Sequence, residues 1–130
     1  MKMKIKQTRF RVSSIELKSV ESAKNVDSYN ILFKDNFEII EIKDSSLRLV
    51  FSRYLGFEPR GLYDLEVKFE AIYHFDNKGN DIVIDHEFIS SNIEDFFNEA
   101  GISTYIVKLI ADISSVGGAL PIISPNSFIV

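Results

Sequence analysis

The side chains that could do chemistry are few and poorly grouped. The chain has two histidines, His74 and His86, and no cysteine. The run Asp85-His86-Glu87 has the composition of a metal or acid–base cluster. On a strand, however, neighbouring side chains point to opposite faces, so both acids diverge from the imidazole. A hairpin turning at Lys78/Gly79 sets His74 opposite Val83 and His86 opposite Ala71. The two rings then lie on opposite faces and cannot share a metal ion. Asp64/Glu66 read as solvated strand charge, and Glu94/Asp95 as first-turn acids favoured by a helix dipole. Gly117-Gly118 close a helix and bring no Lys, whereas a phosphate loop opens a helix and carries one. Ser114 and Ser115 lack the strand–turn–helix setting of a nucleophile. The expectation is a protein that is not an enzyme, with no cofactor, no metal site and no catalytic residue.

Length and composition narrow the classes further. One hundred and thirty residues make one domain, 1–130, with eleven Phe and five Tyr as large anchors and no Trp. The formal charge is −4 and the isoelectric point near 5.2, which argues against nucleic acid, whose phosphates reward cationic surfaces. The basic start Met1–Lys6 is not followed by an apolar run, so it does not read as a secretion signal. No apolar stretch approaches the roughly 20 residues that span a bilayer. A cytoplasmic protein without membrane insertion is expected.

The elements that must position any site follow from periodicity. Phe10, Val12, Ile15 and Leu17 alternate, with a phase slip at Ser13-Ser14 that signals a bulged strand. Tyr29–Phe33 and Phe37–Lys43 read as two short strands divided at Lys34-Asp35-Asn36. Leu47, Leu49, Phe51, Leu55 and Phe57 share one parity, and after the turn at Glu58–Gly61 so do Leu65, Val67, Phe69, Ala71, Tyr73 and Phe75. A turn centred at Arg60 opposes Leu55 with Leu65, Phe51 with Phe69, Leu49 with Ala71 and Leu47 with Tyr73, all on one face. Ile82, Ile84, His86 and Phe88 are expected to add a third meander strand after the turn Asn77–Asn80. The opposite face mixes Val50, Tyr54, Ile72, Val83 and Ile89 with charges, a hint of sheet or subunit contact. Asn92 is expected to N-cap a short helix over Ile93–Glu99 that stops at Gly101. A second helix from about Ser103 carries Ile102, Tyr105, Ile106, Leu109, Ile110 and Ile113 at helical spacing and ends at Gly117-Gly118. Strands first and helices last predict an α+β fold, with the helices on one face of an antiparallel sheet.

Residues 117–128 are apolar and stiffened by Pro121 and Pro125, neither of which can continue a helix or donate a main-chain hydrogen bond. Such a segment must lie on something: its own fold, a partner subunit or a client.

This order of elements resembles SecB, the bacterial protein-export chaperone, and its SecB-like relatives. The resemblance is carried by Phe10–Val20 (opening strand), Leu62–Phe75 (long central strand), Tyr105–Val116 (long helix) and Gly118–Phe128 with its two prolines. It implies a SecB-like four-stranded, or slightly larger, antiparallel sheet with C-terminal helices packed on one face. It also implies a homo-oligomer, dimer or tetramer, and a holdase function toward unfolded polypeptide or preprotein clients. Phe96, Phe97, Leu120, Ile122, Ile123 and Phe128 would line or border the client groove, or seal the core beside it. Residues 29–43 stand as extra strand material against the family pattern. The flexible polar tail by which the export chaperone engages SecA has no match within 1–130. That departure weighs against SecA as a partner and toward the alternative, a dedicated client such as an antitoxin.

Overall fold

A computed structural model of the chain describes residues 4–21, 25–76, 83–116 and 118–129. Four strands, β1 (Lys4–Val20), β2 (Asn30–Ile42), β3 (Ser46–Glu58) and β4 (Leu62–Asp76), form one antiparallel sheet in the order β1-β4-β3-β2. Helices α1 (His86–Ser91), α2 (Ile93–Asn98) and α3 (Ile102–Ser114) follow and pack on one face. A 3-10 turn, Glu99–Gly101, joins the last two. The predicted α+β architecture is the observed one.

The centre of the sheet obeys the sequence pattern. In the β3–β4 hairpin Leu47 lies opposite Tyr73, Leu49 opposite Ala71, Phe51 opposite Phe69 and Leu55 opposite Leu65. All eight are buried on the helix side. Tyr73 is the polar exception in this row: its hydroxyl donates to the Phe96 carbonyl at 2.6 Å, and burial pushes the phenol far above its ordinary pKa. The expected bulge in β1 is present as a register shift between Val12 and Ser14.

Three expectations need correction. Residues 86–88 are helix, and Val83–Asp85 precede it without strand pairing. The Asn77–Asn80 turn and Ile82 lie outside the described residues. Two causes favour the helix. The free edge of β4 is taken by β1, which pairs along its length, so no vacancy exists for a third meander strand. A stronger period also overrides the alternation: Phe88/Ile89, Asn92/Ile93 and Phe96/Phe97 recur every four residues. Asp85 caps α1 by accepting from the Phe88 main-chain N–H at 2.8 Å. Consequently His86 does not oppose Ala71. It sits exposed in the first turn of α1, with its ring stacked on Phe37 at 6.0 Å. His74 lies between Gln7 and Ser46 on the outer face rather than opposite Val83. Ile89 leaves the outer face and is fully buried, while Val83 is exposed in the link.

The second correction concerns residues 29–43, where Asn30–Ile42 form one continuous edge strand belonging to the four, not two pieces or an addition. Thirdly, Asn92 makes no side-chain cap on α2; its Nδ2 donates backwards to the Phe88 carbonyl at 2.8 Å. The break before α3 is sharper than a single glycine would give. Ala100 (φ 53°) and Gly101 (φ 77°) are both left-handed, which turns the chain between two helices.

The stripe of α3 is as expected for Ile102, Ile106 and Ile110, all fully buried, with Leu109 and Ile113 partly so. Tyr105 lies at the rim, 43% exposed, edge-on to Phe10 of β1 at 5.4 Å. Replacing Ile89 by Ala distinguishes the two placements of its segment. In a core helix the change costs about 2–5 kcal/mol, whereas on an exposed strand face it stays within roughly 0.5 kcal/mol. Urea unfolding followed by circular dichroism is expected to show the larger loss.

Candidate functional site

Odd-numbered side chains of β3 point at the helices, so strand geometry puts Arg53 in the apolar row between Phe51 and Leu55. It is 1% exposed. Directly opposite in β2 stands Asp35, at the parity of Phe33 and Phe37. The pair is bidentate: Arg53 Nε donates to Asp35 Oδ1 and Nη2 to Oδ2, each at 2.7 Å. A guanidinium has five N–H donors, and the other three all go to the C-terminal segment. Nη1 donates to Ser124 Oγ (3.1 Å) and to the Pro125 carbonyl, and Nη2 to the Ser127 carbonyl (2.8 Å). Its plane lies over the Phe97 ring, 5.2 Å from the centroid.

Two carboxylates complete the clamp. Asp35 Oδ2 accepts from the Ile129 N–H at 2.8 Å, and Glu94 Oε2 from the Phe128 N–H at 2.7 Å. Between them the Phe128 ring enters an aromatic pocket, 5.5 Å from Phe97 and 6.1 Å from both Phe37 and Phe51. Nearer the helix, Ser114 Oγ accepts from the Ile122 N–H at 2.8 Å and donates to the Ala111 carbonyl. The apolar tail therefore lies on its own sheet and helices, held mainly through its main chain.

The six residues expected at a client groove take three different positions. Phe96 and Phe97 are fully buried in the core. Ile122 and Phe128 are half-buried and pack against it. Leu120 and Ile123 face away, 89% and 69% exposed. The structure thus joins Phe97 to Phe128 and sets Leu120 and Ile123 apart, on the outer side of the tail. Sequence patterning missed Arg53, Asp35, Ser124 and the tail contact of Glu94. The signal was present: a cation and an anion each sit at core parity on β-prone segments, and burying either alone is prohibitive.

The outer face carries a polar surface. Tyr54 folds across Gly56, leaving no room there for a Cβ, and donates to Asp64 at 2.7 Å. This hydrogen bond, with Arg60 beside it, holds the Asp64 carboxyl below the ordinary range, and the same hydrogen bond together with burial raises the Tyr54 phenol. Open hollows of about 470 and 200 Å³ flank Tyr54, lined by charged and polar residues such as Lys34, Asn36, Glu66, Glu16 and Lys18. Among the described residues, no three of His, Cys, Asp and Glu gather as a metal site. No described helix is long and apolar enough to cross a membrane.

With this geometry in place, comparison of folds is informative where comparison of sequences is not. No protein-family profile and no curated protein sequence matches the chain. Among solved structures it is similar to a SecB-like chaperone of Mycobacterium tuberculosis, in complex with a ChAD peptide from an antitoxin. That match has a TM-score of 0.68 and 11% identity over 95% of this chain and 89% of that one. A protein of unknown function from Streptococcus agalactiae matches with a TM-score of 0.59 and 11% identity, over 96% of this chain and 99% of that one. The fold is therefore the SecB-like chaperone fold: a four-stranded antiparallel sheet with C-terminal helices on one face.

Loss of either charge in the clamp leaves the other buried and unpaired. Asp35→Ala is expected to cost about 3–5 kcal/mol in urea unfolding. The double change Arg53→Met with Asp35→Leu is expected to recover most of that loss. Hydrogen exchange at Ile129 speeds up in both variants, because its N–H loses the Asp35 carboxylate.

Proposed function

We propose that this chain is a polypeptide-binding chaperone without chemistry of its own, working as a homo-oligomer in the cytoplasm and needing no cofactor. The observation that carries this reading is the contrast along the C-terminal segment. Residues 124–129 are locked to the sheet, yet Val116 (78%), Leu120 (89%) and Ile123 (69%) stand exposed just before them. Large aliphatic side chains clustered on a short segment mark a surface awaiting a partner. A net charge of −4 keeps such a protein soluble while the surface is free. Leu120 and Ile123 would touch the client directly, while Ile122, Phe128, Phe96 and Phe97 support that surface from below.

Two client classes fit. A general holdase, with or without a role in export through SecA, would accept many unfolded chains. A dedicated module would accept one partner, and the antitoxin peptide on the M. tuberculosis neighbour favours this second reading. The two separate in an aggregation assay. A holdase delays precipitation of two unrelated denatured proteins at near-stoichiometric ratios, whereas a dedicated module protects neither. In either case the double change Leu120→Ser with Ile123→Ser is expected to lower client affinity by about tenfold, the scale of a few lost methyl-rich contacts. Being at exposed sites, it should move the unfolding midpoint little. Unchanged client affinity in that variant would remove the tail from the reading.

Assembly is proposed through the edge strand β1, where Ile15 and Leu17 point to the helix side but are 49% and 57% exposed beyond the helices. Light scattering is expected to show a dimer or tetramer at micromolar concentration, and Leu17→Glu to shift it toward monomer. A wild-type protein that scatters as a monomer would contradict this assembly.

A further inference from the structure

The clamp around Arg53 recognises main chain more than side chain. Two carbonyls, of Pro125 and Ser127, are read by the guanidinium, and two N–H groups, of Phe128 and Ile129, by Glu94 and Asp35. Only the Ser124 hydroxyl and the Phe128 ring contribute side-chain contacts to these sets. A core that simply needed closing would be served by an apolar plug, without the desolvation of Arg53 and Asp35. Paired donors and acceptors at fixed spacing, beside a ring-lined pocket, suit any non-helical segment that carries an aromatic residue.

We propose that this cradle is a peptide-binding site, occupied in cis by residues 124–129, and that an unfolded segment bearing Phe or Tyr takes the tail's place there. The proposal rests on the polypeptide-binding reading above and adds where the client sits and what it displaces. Three features make exchange feasible. When the tail leaves, Arg53 and Asp35 still satisfy each other in bidentate geometry, so no buried charge is stranded. The link from α3 buries little, since Leu120 and Ile123 face solvent, and Gly118 (φ 87°) offers a pivot. The tail also competes as a tethered ligand, at an effective concentration on the order of millimolar. It therefore shields the pocket from water while yielding to a client that adds contacts at Leu120 and Ile123.

The test follows the tail in the full chain while a client binds. Reduced, carboxymethylated lactalbumin serves as a permanently unfolded probe, with binding read by fluorescence anisotropy. At saturation the Phe128 and Ile129 amides are expected to exchange at least about tenfold faster, having lost their carboxylate partners. Phe128→Ala in the full chain is expected to bind the same probe several-fold more tightly, because the competitor is weakened. A fluorescent peptide of residues 124–130 should bind that variant and lose binding when Arg53→Met is added. If the probe binds while the two amides stay as slow as before, or if Phe128→Ala weakens binding, exchange is wrong and the chaperone reading stands. If the probe does not bind wild-type protein at all, the exchange proposal and the general holdase fall together, and the dedicated module alone stands. A concentration-dependent dimer formed through exchanged tails would likewise overturn the proposal, since the cradle would then belong to a second copy.

Discussion

One buried ion pair organises this molecule beyond its own two residues. Arg53 and Asp35 face each other across β3 and β2, in positions where every other side chain of the row is apolar. Desolvating both charges is costly, and their attraction offsets that cost only if the remaining donors and lone pairs are met. Three guanidinium N–H groups and two carboxylate lone pairs remain after the bidentate contact, and the C-terminal segment meets all three donors and one of the lone pairs. The pair neutralises itself, but its remaining donors are met only while the tail, or a segment in its place, lies there. Helix α2 is drawn into the same constraint, because Phe97 lies under the guanidinium and Glu94 accepts from Phe128.

This dependence explains why the tail could be read as needing a surface but not as having this one. Two prolines and a run of aliphatic residues are properties of the tail alone, whereas its charged anchors Arg53 and Asp35 lie some seventy to ninety positions away. Register within a hairpin is local, and the opposition of Leu47 with Tyr73 down to Leu55 with Leu65 could be derived from turn position and parity. The pairing of β1 with β4 is not local. Without it β4 seemed to have a free edge, and the alternation of Ile82, Ile84, His86 and Phe88 looked like a strand to fill it. The four-residue recurrence of Phe88/Ile89, Asn92/Ile93 and Phe96/Phe97 was the better signal, because it extends over three turns and continues into α2. The same local bias split β2 at Lys34-Asp35-Asn36. Polar residues inside a β-prone run read as a turn unless an opposite charge is placed across from them, and Arg53 is that charge.

The six residues first grouped as a client surface divide once burial is known. An amphipathic pattern tells which side chains are large and apolar, not which of two apolar environments they occupy. Phe96 and Phe97 belong to the sheet–helix core because α2 directs them inward, each within 6.5 Å of at least three other aromatic rings. Leu120 and Ile123 escape that fate because the atoms beside them are committed elsewhere: the Ile122 N–H to Ser114, and the Ser124 hydroxyl to Arg53. Ser114 and Arg53 thus fix the rotation of the segment, turning one aliphatic side chain in and two out.

The division of labour between charge and hydrophobicity keeps apolar side chains of the tail exposed without letting it collapse onto them. Apolar contacts are non-directional, so a tail held by them alone could slide or roll until Leu120 and Ile123 were buried. Hydrogen bonds to an immobile guanidinium and two carboxylates are directional and short-ranged, and they fix register in a way greasy contacts cannot. Anchoring through main-chain atoms leaves the side chains of Leu120 and Ile123 free of structural duty. The buried charges therefore add less to net stability than their number of bonds suggests, and more to keeping a sticky segment in one orientation.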